Sequence, residues 1–250
     1  MKKIDFIPRD LPYEINEEIK QLRTNIKFCG DDKRVIMLTS SISGEGKSTI
    51  AIDLANSFHD LGERVLLIDT DMRKSMMKHY VKEKEHIQYG LSHLLTGQCK
   101  LNDALYKTDM GTYAIFAGPT PPNPSELLSN DRMKKMMETL RGYFDYIIVD
   151  CPPLGAVVDA AVISMLCDGV IVVVEAGKVP YKVAQGVIRQ MNNTSCQVLG
   201  TVLNKVDIKK KGRYYKSYYY KKYGYYAEHD DAKAGVNDDS DLESIDIDDI

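Results

Sequence analysis

Short, unbroken apolar runs alternate along this chain with longer segments whose apolar residues recur every three or four positions. The runs read as strands at 34–39 (RVIMLT), 64–69 (RVLLID), 113–116, 145–150 (DYIIVD), 169–174 (GVIVVV) and 197–203 (QVLGTVL). Runs that are apolar on both faces belong to parallel sheets covered by helices on either side. Between them, helical spacing predicts a helix over 12–28, with Ile15, Ile19, Leu22 and Ile26 on one face. It predicts others over 48–61, 125–141, 158–167 and 180–192, and helical segments across 75–108. Pro119, Pro121, Pro122 and Pro124 mark a loop, and Ser125 is placed to cap the helix that follows it. Strand and helix alternating in this way specify an α/β fold, a doubly wound, mostly parallel sheet. The ordered part is expected to end near Asp207.

Composition adds a tail to this picture. A chain of 250 residues, 44% apolar, holds one α/β domain of roughly 200 residues with a segment to spare. The net charge of −3 conceals an asymmetry: residues 209–222 carry seven cations and no acid, and residues 228–250 carry ten acids against Lys233. Such segments are usually solvated and disordered. The expected division is therefore an N-terminal helical segment at 1–30, a nucleotide-binding domain at 31–207 and a flexible tail at 208–250. Five scattered cysteines with no C-x-x-C pair argue against a disulfide framework or a zinc site, and fit a reducing cytoplasm. The five histidines form no ligand spacing, and Cys151 reads as a small core residue. No apolar run reaches the ~20 residues that span a bilayer, and the N-terminus MKKIDFIPRD lacks the core of a signal peptide. The expectation is a soluble cytoplasmic protein that reaches a membrane only through a partner.

The chemistry is concentrated at strand ends. Ser41-Ile42-Ser43-Gly44-Glu45-Gly46-Lys47-Ser48-Thr49 lies between a buried strand and a helix, the context a P-loop requires. Glycines at 44 and 46 let successive N–H groups turn toward phosphate oxygens, and the helix start adds its positive end. Lys47 suits the β- and γ-phosphates and the Ser48 hydroxyl suits Mg²⁺. Ser41 stands where the motif has its first glycine. Asp69 and Asp71 follow one strand and Asp150 ends another, so all three fall beside the loop, because ligands sit at the carboxyl ends of parallel strands. Asn204-Lys205-Val206-Asp207, after a late strand, has the form of the guanine-reading motif of GTPases, and read alone it suggests GTP.

Taken together, GEGKST, VLLIDTDMR (a second Walker motif) and YIIVDCPP (a Walker B strand), followed by a tyrosine-rich C-terminus, resemble the bacterial tyrosine kinases. The similarity is to the cytoplasmic kinases of Gram-positive capsule and exopolysaccharide systems, and it runs over residues 12–226. The wider relatives are P-loop NTPases of the MinD/ParA-like type, so a nucleotide-driven ATPase switch without tyrosine phosphotransfer is the alternative. The resemblance implies ATP and Mg²⁺ as cofactors. It makes Ser43, Gly44, Glu45, Gly46, Lys47, Ser48 and Thr49 the phosphate loop and Ser48, Asp71 and Asp150 the metal ligands. Asp69 would act near the incoming tyrosine hydroxyl, and Asn204 on the base side of adenine. The eukaryotic kinase motifs H-R-D and D-F-G are absent.

Two further segments take meaning from the resemblance. Glu17-Glu18-Ile19-Lys20-Gln21-Leu22-Arg23-Thr24-Asn25 is similar to the family's oligomerisation stretch E-x-x-R-x-x-R-[ST]-N, with Lys20 in place of the first arginine. The implied assembly is an octamer-like ring in which one subunit's tail enters its neighbour's site. The run YYKSYYYKKYGYY holds eight of the sixteen tyrosines: Tyr214, Tyr215, Tyr218, Tyr219, Tyr220, Tyr223, Tyr225 and Tyr226. By composition it is a basic aromatic arm for nucleic acid or an inert tail. Behind kinase motifs it becomes the autophosphorylation substrate in trans, and the acidic stretch after it would repel nucleic acid. The partner implied is a membrane-embedded polysaccharide co-polymerase whose cytoplasmic segment activates the kinase, with other tyrosine-bearing proteins as further substrates.

Overall fold

The computed structural model describes residues 2–82, 86–155 and 158–207. The tail and all eight clustered tyrosines lie outside the described residues. In chain order the strands are β1 (Lys2–Ile4), β2 (Val35–Ser40), β3 (Val65–Asp69), β4 (Tyr106–Thr108), β5 (Tyr113–Ile115), β6 (Tyr146–Asp150), β7 (Gly169–Glu175) and β8 (Gln197–Asn204). The helices are α1 (Tyr13–Phe28), α2 (Lys47–His59), α3 (Leu91–Leu95), α4 (Leu101–Ala104), α5 (Pro124–Leu128), α6 (Asp131–Tyr143), α7 (Asp159–Ser164) and α8 (Tyr181–Asn192). The strands form one sheet in the order β1-β4-β5-β3-β6-β2-β7-β8, and only the β4–β5 pairing is antiparallel.

Each central strand serves two cores, because successive side chains leave opposite faces of a sheet. Val35 and Met37 of β2 pack in one apolar cluster with α6, α7 and α8, through Met133, Leu140, Ile163 and Met191. Ile36 and Leu38 pack in the other with α1 and α2, through Ile19, Ile26, Ile50, Leu54 and Phe58. Phe58 is fully buried, its ring stacked 3.9 Å from that of Tyr146. Cutting such a side chain back to Ala costs about 3–5 kcal/mol. This is the doubly wound arrangement the apolar runs predict.

Three expectations need correction. The helix expected over 125–141 is two, α5 and α6, because Asn130 interrupts it. Its side-chain oxygen accepts from the Met133 N–H at 2.8 Å and caps α6 afresh. Ser125 does not cap: it lies inside α5, and its hydroxyl donates to Asp159. The segment 75–108 is only partly helical, with a 3-10 turn at Met77–Tyr80, then α3 and α4, then the strand β4. Gly97, at φ 76°, follows α3 and helps to end it. β1 and β4 are three-residue strands of mixed polarity, too short to show a period.

Candidate active site

The sheet order places β2 between β6 and β7, with β3 beyond β6, so the carboxyl ends of β2, β3 and β6 meet. The β3–β6 register sets Asp69 directly beside Asp150. Both are buried, as are Asp71, Lys47 and Ser48. Lys47 opens α2, and Gly46 before it takes φ 91°, a left-handed conformation that glycine adopts without penalty. The Lys47 Nζ lies 3.3 Å from Asp150 Oδ1 and 3.5 Å from both Asp71 Oδ2 and Ser48 Oγ. These are loose contacts for charged groups, which close to about 2.7–2.9 Å when optimal.

The electrostatics are correspondingly strained. Burial pushes the Asp69 carboxyl up, to about 8, with the charge of Asp150 adding to it. The Ser75 hydroxyl, 2.5 Å from Asp69 Oδ2, and the Asp71 N–H, 3.0 Å from Oδ1, pull the other way. Burial also raises Asp150, against the opposing effects of Lys47 and Ser48. Burial would lower the Lys47 ammonium, yet the charges of Asp150, Asp71 and Asp69 outweigh it and the net shift is upward. Burial thus keeps Asp69 mostly protonated at neutral pH, and the acidic groups still outnumber the one cation in a dry site.

The loop offers complementary donors. Among the described residues, the N–H groups of Gly44, Gly46, Lys47 and Ser48 donate to no protein acceptor. Free donors at a helix start above a cationic side chain suit phosphate oxygens, and an acidic cluster with a hydroxyl suits a hard divalent cation. The residues therefore fit a magnesium–nucleotide pair. The other loop positions do different work. The Thr49 hydroxyl meets Tyr80 Oη at 2.5 Å, the Glu45 carboxylate binds backbone, and Ser41 Oγ is buried without a hydrogen-bond partner. Gly155 passes so close that a Cβ there would lie 2.3 Å from the Ser41 carbonyl.

Comparison with known proteins decides between the kinases and their wider relatives. Residues 33–206 match the model of the AAA domain family. The tyrosine-protein kinase CpsD of Streptococcus pneumoniae is 40% identical over 208 residues, which is 83% of this chain and 89% of that protein. The chain belongs to the family of bacterial tyrosine-protein kinases. The crystal structure of the chimerical protein CapA2B2 superposes with a TM-score of 0.74 at 28% identity, over 82% of this chain and 94% of that one. The septum site-determining protein MinD of Pyrococcus horikoshii, solved with Mg-ADP, shares the fold at a TM-score of 0.58 and 22% identity, over 68% and 69% of the two chains.

Several groups that organise the kinase site are invisible in the sequence pattern. Ser75 reaches back to Asp69 across a turn that no motif spans. Arg73 grips the buried Asp159 at 2.7 and 3.2 Å and donates to Ser125 Oγ at 3.2 Å. Burial raises Asp159, but the bonds from Arg73 and Ser125 outweigh it and hold the carboxyl below its ordinary range. This joint ties the loop after β3 to α5 and α7 at the rim of the site. Asn204 donates from Nδ2 to the Glu45 carbonyl at 2.8 Å, and its neighbour Lys205 donates to the Gly44 carbonyl at 2.6 Å. The kinase thus spends the first two residues of N-K-V-D on its own phosphate loop. The described residues contain no group of His, Cys, Asp or Glu set to hold a metal unaided. No helix among them is long and apolar enough to cross a membrane.

Proposed function

We propose that this kinase transfers the γ-phosphoryl group of ATP to tyrosine hydroxyls in the C-terminal cluster of a neighbouring subunit. The observation that carries the reading is the buried Lys47–Asp71–Asp150 cluster directly below a loop of unengaged N–H groups. Lys47 and the loop hold the phosphates, and Ser48, Asp71 and Asp150 hold Mg²⁺. The metal supplies positive charge that offsets the charge of the transferring group. Asp69 takes the tyrosine proton. Raised to about 8, it is mostly protonated at neutral pH. The cation that Asp71 and Asp150 would hold beside it favours the ionised form, which can accept a proton from a phenol whose unperturbed pKa is near 10. Asn204, with Nδ2 committed to the loop, keeps Oδ1 to accept from the adenine amino group; guanine offers a carbonyl there instead.

The biological setting follows from the family. We assign the enzyme to the cytoplasmic face of the membrane, in control of capsule or exopolysaccharide synthesis. A membrane protein activates it, and a ring of copies forms through α1. The CapA2B2 chimera supports a two-component arrangement. Incubation with Mg-ATP and the activating segment, followed by mass spectrometry, tests the activity. Phosphotyrosine within residues 214–226 that vanishes in Lys47→Met supports the kinase. Release of free phosphate without phosphotyrosine would instead favour the ATPase switch suggested by the shared MinD fold.

A further inference from the structure

A second cluster lies behind the phosphate loop, and no step of the transfer uses it. Glu45 is fully buried, and both its carboxylate oxygens are taken by backbone: Oε2 accepts from the Ile42 N–H at 2.8 Å, Oε1 from the Glu175 N–H at 2.9 Å. One carboxylate thereby ties the loop to itself and to the end of β7. Just past the end of β8, Lys205 donates to the Gly44 carbonyl and also meets Glu175 Oε2 at 3.1 Å. Lys205 alone among the described non-glycine residues has a positive φ, 55°. That left-handed backbone is one a lysine rarely adopts.

We propose that Glu45 and Lys205 are positioning residues that set the loop's shape for nucleotide phosphate. The proposal rests on the nucleotide reading given above. In a trans peptide the C=O and N–H point in opposite directions. Holding the Gly44 and Glu45 carbonyls from the β8 side turns the N–H groups of Glu45 and Gly46 to the other face of the loop. The Glu45 carboxylate then fixes the loop's height above β7. The contacts are close: a Cβ on Gly46 would fall 2.2 Å from Asn204 Nδ2, so the loop and the β8 end fit as one piece. The loop is therefore arranged before ligand arrives, which is how a binding site avoids losing affinity to ordering.

The test measures Mg-ADP binding by calorimetry and its release by stopped-flow, alongside thermal unfolding of the ligand-free full-length protein. In Glu45→Gln the amide offers one acceptor to two N–H donors, and affinity is expected to fall on the order of tenfold. Lys205→Met and Lys205→Gly are both expected to weaken binding and speed release by several-fold, without a fall in the ligand-free unfolding midpoint. The glycine variant relieves the left-handed backbone, so its loss would come from the side chain's grip alone. Lys178→Met removes the other cation on Glu175, 3.0 Å away, without touching the loop, and should bind as wild type. Mg-ADP affinities within twofold of wild type in both Lys205 variants overturn the inference, even if Glu45→Gln fails to fold. A wild-type protein that binds no Mg-ADP overturns the nucleotide reading with it.

Discussion

The two ends of the central strands hold polar clusters of opposite character. At the amino end, Asp168 accepts from the Arg34 and Val35 N–H groups at 3.0 and 2.7 Å and from both terminal nitrogens of Arg141 at 2.9 Å. Arg64 pairs with Asp145, and Arg34 donates to the carbonyls of Asp145, Arg141 and Phe144. Burial raises both carboxyls, yet these bonds outweigh it and hold Asp168 and Asp145 below their ordinary range. At the carboxyl end, Asp69 and Asp150 are raised, and the one cation beside them keeps loose distances. One end is saturated and contributes to stability. The other is left unsatisfied, and that deficit is what a ligand can relieve.

The largest effect that would sharpen this contrast is at Lys47. Lys47→Met should lower the rate of tyrosine phosphorylation by roughly 10³-fold and abolish stabilisation by Mg-ADP, normally about 2.7 kcal/mol at a hundred times its dissociation constant. Thermal unfolding with and without nucleotide checks it. Next, Asp168→Ala should cost about 2–3 kcal/mol in urea unfolding, since it strands buried N–H groups and a guanidinium, while Mg-ADP affinity stays at the wild-type value. A fall in affinity as large as the fall in stability would break the division between the ends.

Asp69→Asn should do the reverse, removing phosphotransfer while raising ligand-free stability by roughly 1–2 kcal/mol at neutral pH. The smallest effect is in the pH profile. A carboxyl lowered by folding contributes stability that is present above its unfolded pKa near 4 and lost as pH falls through the folded value. A raised carboxyl contributes stability that is complete below pH 4 and lost as pH rises toward its folded value, about 8 for Asp69. Urea midpoints should therefore decline less between pH 4 and 8 in Asp69→Asn, and fall less steeply below pH 4 in Asp168→Ala.

The sequence made the site more legible than its supports. Lys47, Ser48, Asp69, Asp71 and Asp150 could be placed because local pattern puts them at strand ends, and a parallel sheet gathers such ends. Asp168, Ser75, Asp159 and the Glu45–Lys205 brace could not. Each acts through a partner chosen by three-dimensional packing, at separations as large as the 161 residues between Gly44 and Lys205. The same limit explains the break at Asn130, where one local cap prevailed over a continuing helical period, and the loss of β4, whose pairing with β1 and β5 no short window reveals.

The central position of β2 also has a consequence for how the chain is made. Its hydrogen-bonding neighbours are β6 and β7, which begin at Tyr146 and Gly169. A nascent chain therefore carries this wholly buried strand unpaired until synthesis has passed Tyr146. Topologies built on such distant pairings fold slowly and expose strand edges to other chains while they wait. Co-translational folding should be late and abrupt, and a ribosome stalled before β7 should hold a product that binds chaperone rather than nucleotide.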